Sequence, residues 1–433
     1  MLSLLTVAAL TPEEHSVRIL DEQLEDIPAT VEADVIGITV MTATAPRAYE
    51  LCLRFKQQGI PVVLGGFHPT FNVDEAGKYA DAVVIGPAYD AWQAVLRDVQ
   101  AGALQKQYLG NPAGIVPTTL PKHLLNASKY VSVHTTYATL GCRNDCHFCS
   151  IKSFYQGQRY VRKIDDIVQE LRSFQSRFVM FVDDNLTQDR EYVKALLTAM
   201  QPLKKTWITQ ASIDIADDAD LLALMRDSGC VGVFIGLETF SLQALSSQGK
   251  VLKSPQFYQE AVQKLHQHGI FVEAGIIFGF DVDEPTVFKR TLQTLDRIGI
   301  DAIQVSVLTP LPGTQLFESL KARIFDTNWE HYDYKHVVFH PTHMLPEELD
   351  AGNQWVIRKY YAPLRILKRV SRWLRTPNGL RHLIYPLGLN LAYLGRVLRF
   401  HIRGYNPAAP KVRQAKTWRQ KKQSIYAPSP TTR

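Results

Sequence analysis

At 433 residues the chain exceeds what one ordinary core holds, so two or three domains are expected. With 46% hydrophobic and 21% charged residues it reads as a soluble globular chain, which excludes fibrous and disordered classes. Five cysteines, three of them within one loop, exclude a disulfide framework and point to metal binding in a reducing compartment.

The opening MLSLLTVAAL is apolar but lacks the basic flank and small-residue cleavage site of a secretion signal. No segment reaches the roughly 18 uninterrupted apolar residues of a spanning helix. Short β-branched runs follow: SVRIL (16–20), DVIGITV (34–40), PVVLGG (61–66) and DAVVIG (81–86). They alternate with helical spacing over 45–59 and 89–102. Strands alternating with helices predict a parallel, doubly wound, Rossmann-like α/β domain over 1–110. Ligands of such sheets sit at the carboxyl ends of the strands, where TVMTATAP and GGFHPT stand. A Pro-, Gly- and Thr-rich linker covers 111–127.

Over 128–320 six strands and five connecting helices alternate, enough for a partial (β/α)6 barrel but short of eight repeats. The polar ends VDDN, SID, LE, FGFD and LTPLPGT close successive strands, which predicts one active face at their carboxyl ends. A helical C-terminal region over 321–404 and a basic, disordered tail over 405–433 complete the chain.

Charge is split along it. Residues 361–433 hold 16 of the 48 Lys and Arg and none of the 42 Asp and Glu, so the first 360 residues carry 32 basic against 42 acidic side chains, a balance of −10. Within 361–404 arginines interleave with Leu, Ile, Trp, Tyr and Phe. Such a segment suits an anionic membrane surface, packing on the body of the protein, or nucleic acid.

The densest chemistry lies in TLGCRNDCHFCSIKSFYQG, where Cys142, Cys146 and Cys149 are spaced C-x3-C-x2-C. A structural zinc site takes four ligands, usually in two pairs, and no second pair exists. Cys52 and Cys230 sit in apolar contexts and read as core residues. A [4Fe–4S] cluster normally takes four thiolates. With three, one iron keeps an open position for a substrate or cofactor.

The loop closely resembles the signature of the radical S-adenosylmethionine (SAM) superfamily, with Phe148 in its aromatic slot. The resemblance implies that Cys142, Cys146 and Cys149 hold a [4Fe–4S] cluster whose open iron chelates SAM. One electron then yields methionine and a 5′-deoxyadenosyl radical. An electron donor such as flavodoxin or ferredoxin is implied. His147 faces solvent or the SAM pocket rather than the cluster. Asp183, Asp184 and Asn185 stand where relatives carry a GGE stretch that contacts the SAM amino group. Ser212, Asp214 and Glu238 suit the ribose or the methionine end. Gly275 and Gly279 correspond to backbone lying against adenine, and Thr309 and Pro310 to the border of adenine and substrate. Asp189 and Asp218 read as helix caps.

The N-terminal unit resembles the cobalamin (B12)-binding domain of one radical SAM subgroup, which places Thr42, Thr44, Gly65, Gly66, His68 and Gly86 at the cofactor. The D-x-H-x-x-G motif that ligates cobalt in many such domains is absent. Relatives carry an earlier strand and a proline-rich loop, which leaves open whether the first strand is present here. The expected function is cobalamin-dependent C-methylation, or a related radical transformation, of a small apolar, lipid or isoprenoid substrate. Methyl-cobalamin recharged by a second SAM would supply the methyl group. The expected location is the cytoplasm, with peripheral contact at the inner membrane face through 361–404. Two alternatives stand beside this: a non-catalytic corrinoid and Fe–S binder, and a methylthiotransferase. The latter would carry further cysteines and an RNA-binding barrel that the chain lacks, and nucleic acid is not an expected partner.

Overall fold

The computed structural model describes residues 2–402 apart from 112–113, 115–118, 131, 250–252 and 378. The predicted tail over 405–433 and part of the linker therefore lie outside the described residues.

The first unit is a parallel sheet of β1 (Ile36–Thr39), β2 (Val62–Gly65), β3 (Ala82–Ile85) and β4 (Gln107–Leu109), in that spatial order. Alternation along the strands divides the core into two layers. Val62, Leu64 and Val83 pack against helices 45–56 and 73–79, whereas Val63, Ala82 and Val84 pack against helices 2–10 and 89–100. This is the expected doubly wound arrangement.

One local expectation changes. Among the described residues no strand precedes Ile36, so SVRIL is not a strand. Ile19 instead packs on Leu5, Leu120, Leu125 and Tyr137, and this takes the segment away from any sheet edge. The GGFHPT stretch turns directly into a short helix, Phe67–Phe71.

The second unit contributes β5 (Thr135–Thr136), β6 (Thr139–Leu140), β7 (Tyr160–Val161), β8 (Phe178–Phe181), β9 (Thr206–Gln210), β10 (Cys230–Glu238), β11 (Phe271–Phe278) and β12 (Ala302–Val307). The sheet runs β5-β8-β9-β10-β11-β12, every pair parallel, as an open (β/α)6 arc. Strands β6 and β7 pair antiparallel outside it. Asp189 and Asp218 cap helices 190–200 and 219–227, accepting from Tyr192 N and Leu221 N. Cys52 and Cys230 are buried core residues.

Residues 321–345 hold two short 3-10 turns, Lys321–Arg323 and Trp329–His331, and an isolated bridge between Ile324 and Phe339, so the C-terminal region is α-helical from Pro346 onward. Helices 346–360, 363–371, 379–382 and 384–402 then return to the barrel. Tyr361 Oη accepts from Ile303 N and donates to Ile303 O on β12. It thus blunts an edge strand whose backbone groups would otherwise face solvent. The buried Arg369 donates to Tyr360 O and to Asn390 Oδ1, both at 2.7 Å, and lies 3.8 Å over the Tyr360 ring. Trp373 Nε1 donates to Asp301 Oδ1 at 2.7 Å. The inner face of the basic extension therefore covers the barrel. Among the described residues no helix is long and apolar enough to cross a membrane.

Candidate active site

The cysteine loop is an excursion closed at its base. Thr139 pairs with Val161 and Leu140 with Tyr160, so residues 141–159 leave and return at one point. A buried ion pair locks that point: Arg162 Nη1 donates to Glu170 Oε2 and to Tyr137 O, both at 2.8 Å. Lys122 reaches the other Glu170 oxygen at 2.7 Å. Gly141 opens the loop at φ +84°, where a Cβ would lie 2.4 Å from Gln158 O, so only glycine fits.

The Asp183–Asp184 pair after β8 organises the same turn. Asp183 is wholly buried and accepts from Ala138 N at 3.1 Å, Thr139 N at 2.5 Å and Thr139 Oγ1 at 2.8 Å. Asp184 Oδ2 accepts from Gly141 N at 2.8 Å. The Asp183 carboxyl is thus turned to the backbone that follows β5. Sequence reasoning did not see this because it cannot tell which way a carboxyl at a strand end points.

All three loop cysteines are partly exposed and free of disulfides. No three His, Cys, Asp or Glu side chains among the described residues converge closely enough to hold a single ion. Three thiols on one loop suit a cluster that takes each through a different iron. Burial, reinforced by Cys146 and Cys142, pushes the Cys149 thiol up to about 11. Cluster iron would displace that proton. Gln188, unremarked in the sequence, touches Cys142 Sγ.

The other predicted residues line the ends of successive strands. Asn185 Nδ2 donates to Ser212 Oγ at 2.6 Å, which joins the ends of β8 and β9. Asp214 is half-exposed and paired with Arg190 at 3.0 Å. Glu238 sits at φ +60° where the β10 register shifts, a strained conformation for a glutamate. Gly275 lies against Phe234, and Gly279, at φ +112°, donates to Asp283. Thr309 and Pro310 are buried, with the Thr309 hydroxyl bonded to Val307 O. Phe148 packs against the buried cluster that includes Leu311 and Leu316.

Two cavities, each of about 210 Å3, lie between the units. The first is bounded by Met41 and Thr42 after β1, by Phe67, by Ser150 beside Cys149, and by Leu311 and Tyr334. The second is walled by the strand-end glycines Gly65, Gly66 and Gly86, by Tyr155, and by Leu4 and Val7 of helix 2–10. Gly66 stands at φ +102° with Val40 O 2.9 Å from where a Cβ would be. This glycine edge stands at the carboxyl ends of the strands, where such sheets take a ligand, with Tyr155 and helix 2–10 as the facing wall. Thr44 is exposed and bonds back to Met41 N and O, so it braces the turn without lining either cavity.

His68 is wholly buried. Tyr49 Oη lies 2.9 Å from its Nε2 and Asn72 Nδ2 3.3 Å from its Nδ1, and burial pushes its pKa down to about 4. It lines neither cavity and stands buried, with a side-chain partner at each ring nitrogen. The units also meet directly: Phe67 stacks on Phe154 at 4.3 Å, and Trp329 Nε1 donates to Glu75 at 2.9 Å.

A partial barrel with a three-cysteine loop, fronted by a glycine-edged Rossmann unit, defines a radical SAM enzyme joined to a corrinoid domain. Residues 136–295 match the Radical SAM superfamily and residues 2–96 the B12 binding domain. The chain is 32% identical to bacteriochlorophyllide d C-12(1)-methyltransferase of Chlorobaculum tepidum, over 86% of this chain and 84% of that one. It is 27% identical to hopanoid C-2 methylase of Rhodopseudomonas palustris, over 84% of this chain and 72% of that one. Its fold is like that of the radical SAM methyltransferase TsrM of Kitasatospora setae, solved with cobalamin and a [4Fe–4S] cluster bound. That likeness has a TM-score of 0.61 at 14% identity and covers 73% of this chain and 74% of that one. The chain belongs to the cobalamin-dependent radical SAM methyltransferases. Its cofactors are a [4Fe–4S] cluster, SAM and cobalamin.

Proposed function

We propose that the chain methylates an unactivated carbon of an apolar small molecule, of the ring-bearing or isoprenoid kind. The observation that carries this is the first cavity, which is apolar and bounded at once by the loop after β1 and by Ser150 beside Cys149. A substrate there would lie between the corrinoid edge and the cluster. When bound, the cluster and SAM supply the hydrogen-abstracting radical and cobalamin the methyl carrier.

The chain's own residues have separable tasks in this reading. Cys142, Cys146 and Cys149 hold the cluster, and Asp183 and Asp184 fix the turn that presents it. Phe148, Asn185, Ser212, Glu238, Gly275 and Gly279 border SAM, with Thr309 and Pro310 at its substrate side. Gly65, Gly66 and Gly86 admit the corrin. Sites for drug-sized ligands are about 300–1,000 Å3. The 210 Å3 beside the glycines is smaller, and helix 2–10 forms part of its wall. A low-potential flavodoxin or ferredoxin supplies the electron.

The test is anaerobic turnover of the reconstituted chain with labelled SAM, cobalamin, reductant, and either a tetrapyrrole pigment or a polycyclic isoprenoid. Label transferred to one of them, together with 5′-deoxyadenosine that vanishes in Cys146→Ala, supports the reading. Cobalamin and SAM binding without 5′-deoxyadenosine under any of these conditions would favour a non-catalytic binder.

An apolar substrate also suits the outer face of the extension, which we infer meets an anionic lipid bilayer. Leu364 is 82% exposed, Leu380 80% and Ile384 65%, and Ile384, Leu391 and Leu398 recur every seventh residue along one helix. Lys368, Arg375, Arg381, Arg396 and Arg399 are exposed among them, with no acidic side chain from 361 onward. Apolar side chains interleaved with cations match a lipid interface of negative charge. Sedimentation with phosphatidylglycerol vesicles, absent with phosphatidylcholine alone and lost in Ile384→Ser/Leu391→Ser, is expected. Equal sedimentation with both vesicles would refute the charge match.

A further inference from the structure

Gln188 stands in the first turn after the Asp183–Asp184 pair, and its side-chain amide reaches the cysteine loop at two points. Oε1 accepts from Arg143 N at 3.0 Å, and Nε2 lies 2.8 Å from Cys142 Sγ. The first contact fixes the orientation of the second. A backbone N–H only donates, so the amide oxygen must face Arg143 and the NH2 must face the sulfur. Asn185, Thr187 and Asp189 turn their side chains into capping bonds or onto Ser212, so Gln188 is the member of this run aimed at the loop sulfur.

We propose that Gln188 is a positioning residue that donates a hydrogen bond to the Cys142 thiolate and thereby raises the reduction potential of the cluster. Resting on the family's cluster rather than on any substrate, the proposal stands even if the proposed substrate class is wrong. The physical reason is electrostatic. One-electron reduction adds negative charge to a unit already carrying three thiolates, and a donor at sulfur stabilises the more negative state more strongly. The charges around the loop are of both signs and paired, Arg143 and Arg159 with Asp189 and Lys152 with Asp145, so the amide is a neutral donor among groups that offset one another.

Two variants of the full chain, reconstituted anaerobically, separate tuning from bracing. Gln188→Glu keeps the acceptor for Arg143 N and replaces the donor by a negative charge. Gln188→Met keeps the volume and makes neither bond. Iron and sulfide content is measured first, then the midpoint potential by EPR-monitored redox titration without SAM. Both variants are expected to load iron. At a fixed ambient potential near the midpoint the ratio of reduced to oxidised cluster should fall about tenfold, which is about 59 mV for a one-electron couple. Gln188→Glu should fall at least as far as Gln188→Met. Wild-type potentials in loaded variants would overturn the proposal. Failure of both variants to hold iron would overturn it too, by assigning Gln188 to bracing the loop alone.

Discussion

At Asp183 burial and hydrogen bonding oppose each other most directly. Its oxygens take bonds from Ala138 N, Thr139 N and Thr139 Oγ1, all of which favour the carboxylate. Burial is the larger influence and pushes the pKa up from 3.8 to about 6. A pKa higher in the folded than in the unfolded chain means that the folded chain binds the proton more tightly. The group's contribution to stability is therefore full below about pH 4 and is lost as pH rises through about 6. The whole shift corresponds to about 3 kcal/mol, of which about 2 kcal/mol falls between pH 4.5 and 7.5.

Asp183→Asn removes the titration while keeping one acceptor oxygen. Its NH2 then faces a backbone N–H, and the orphaned donor costs about 1–3 kcal/mol at every pH. The variant is thus expected to be less stable than wild type at pH 4.5 and to recover about 2 kcal/mol relative to it by pH 7.5. Urea denaturation of the cluster-free chain at the two pH values measures the gap. A gap that is constant, or that widens with pH, would refute the reasoning and show that the three donors hold the carboxylate ionised.

Gly66→Ala forces a side chain into φ +102° and onto Val40 O, so the first unit should lose about 1–3 kcal/mol in thermal unfolding and retain less cobalamin on gel filtration. His68→Phe should leave the visible spectrum of bound cobalamin unchanged, because the imidazole is turned to Tyr49 and Asn72. A changed axial-ligand spectrum would place it at cobalt after all. Arg369→Ala strands Tyr360 O and Asn390 Oδ1 and opens a cavity, a loss of about 2–4 kcal/mol. Trypsin should then cut within 379–402 while the barrel stays intact.

The cysteine loop and the six parallel strands were legible because each leaves a local signature: a fixed spacing in one, β-branched runs at regular intervals in the other. What escaped depends on direction or on distant partners. Asp183 and Glu238 both end strands, yet one carboxyl turns to backbone and the other residue takes a left-handed conformation at a register shift. SVRIL has strand-like composition, but a strand needs a neighbour to pair with, and Ile19 finds packing instead. Gln188 carries no signal beyond being polar near a strand end. The basic extension read as amphipathic, and it is; that its inner face closes a sheet edge through Tyr361 depends on contacts 58 residues away.

Three contacts between the two units, made from separate stretches of the second, converge on one segment of the first. Phe67 stacks on Phe154, which follows the cysteine loop. A Cβ at Gly313 would strike Phe71, so the loop after β12 closes tightly on helix 67–71. Trp329, 254 residues from Glu75, donates to it while its ring meets the edge of His68. Each contact touches residues 67–75, the segment that begins at the glycine edge of the sheet. Residues 67–75 are therefore one joint between the glycine edge and the barrel, beside the contact of Tyr89 with Tyr160, and the buried His68 lies within it. A reaction that passes a radical and a methyl group to one substrate needs a fixed gap between two cofactors. Packing around Phe67, Phe71 and Trp329 holds the two units at this spacing, and Phe67 and Phe71 line the first cavity between them.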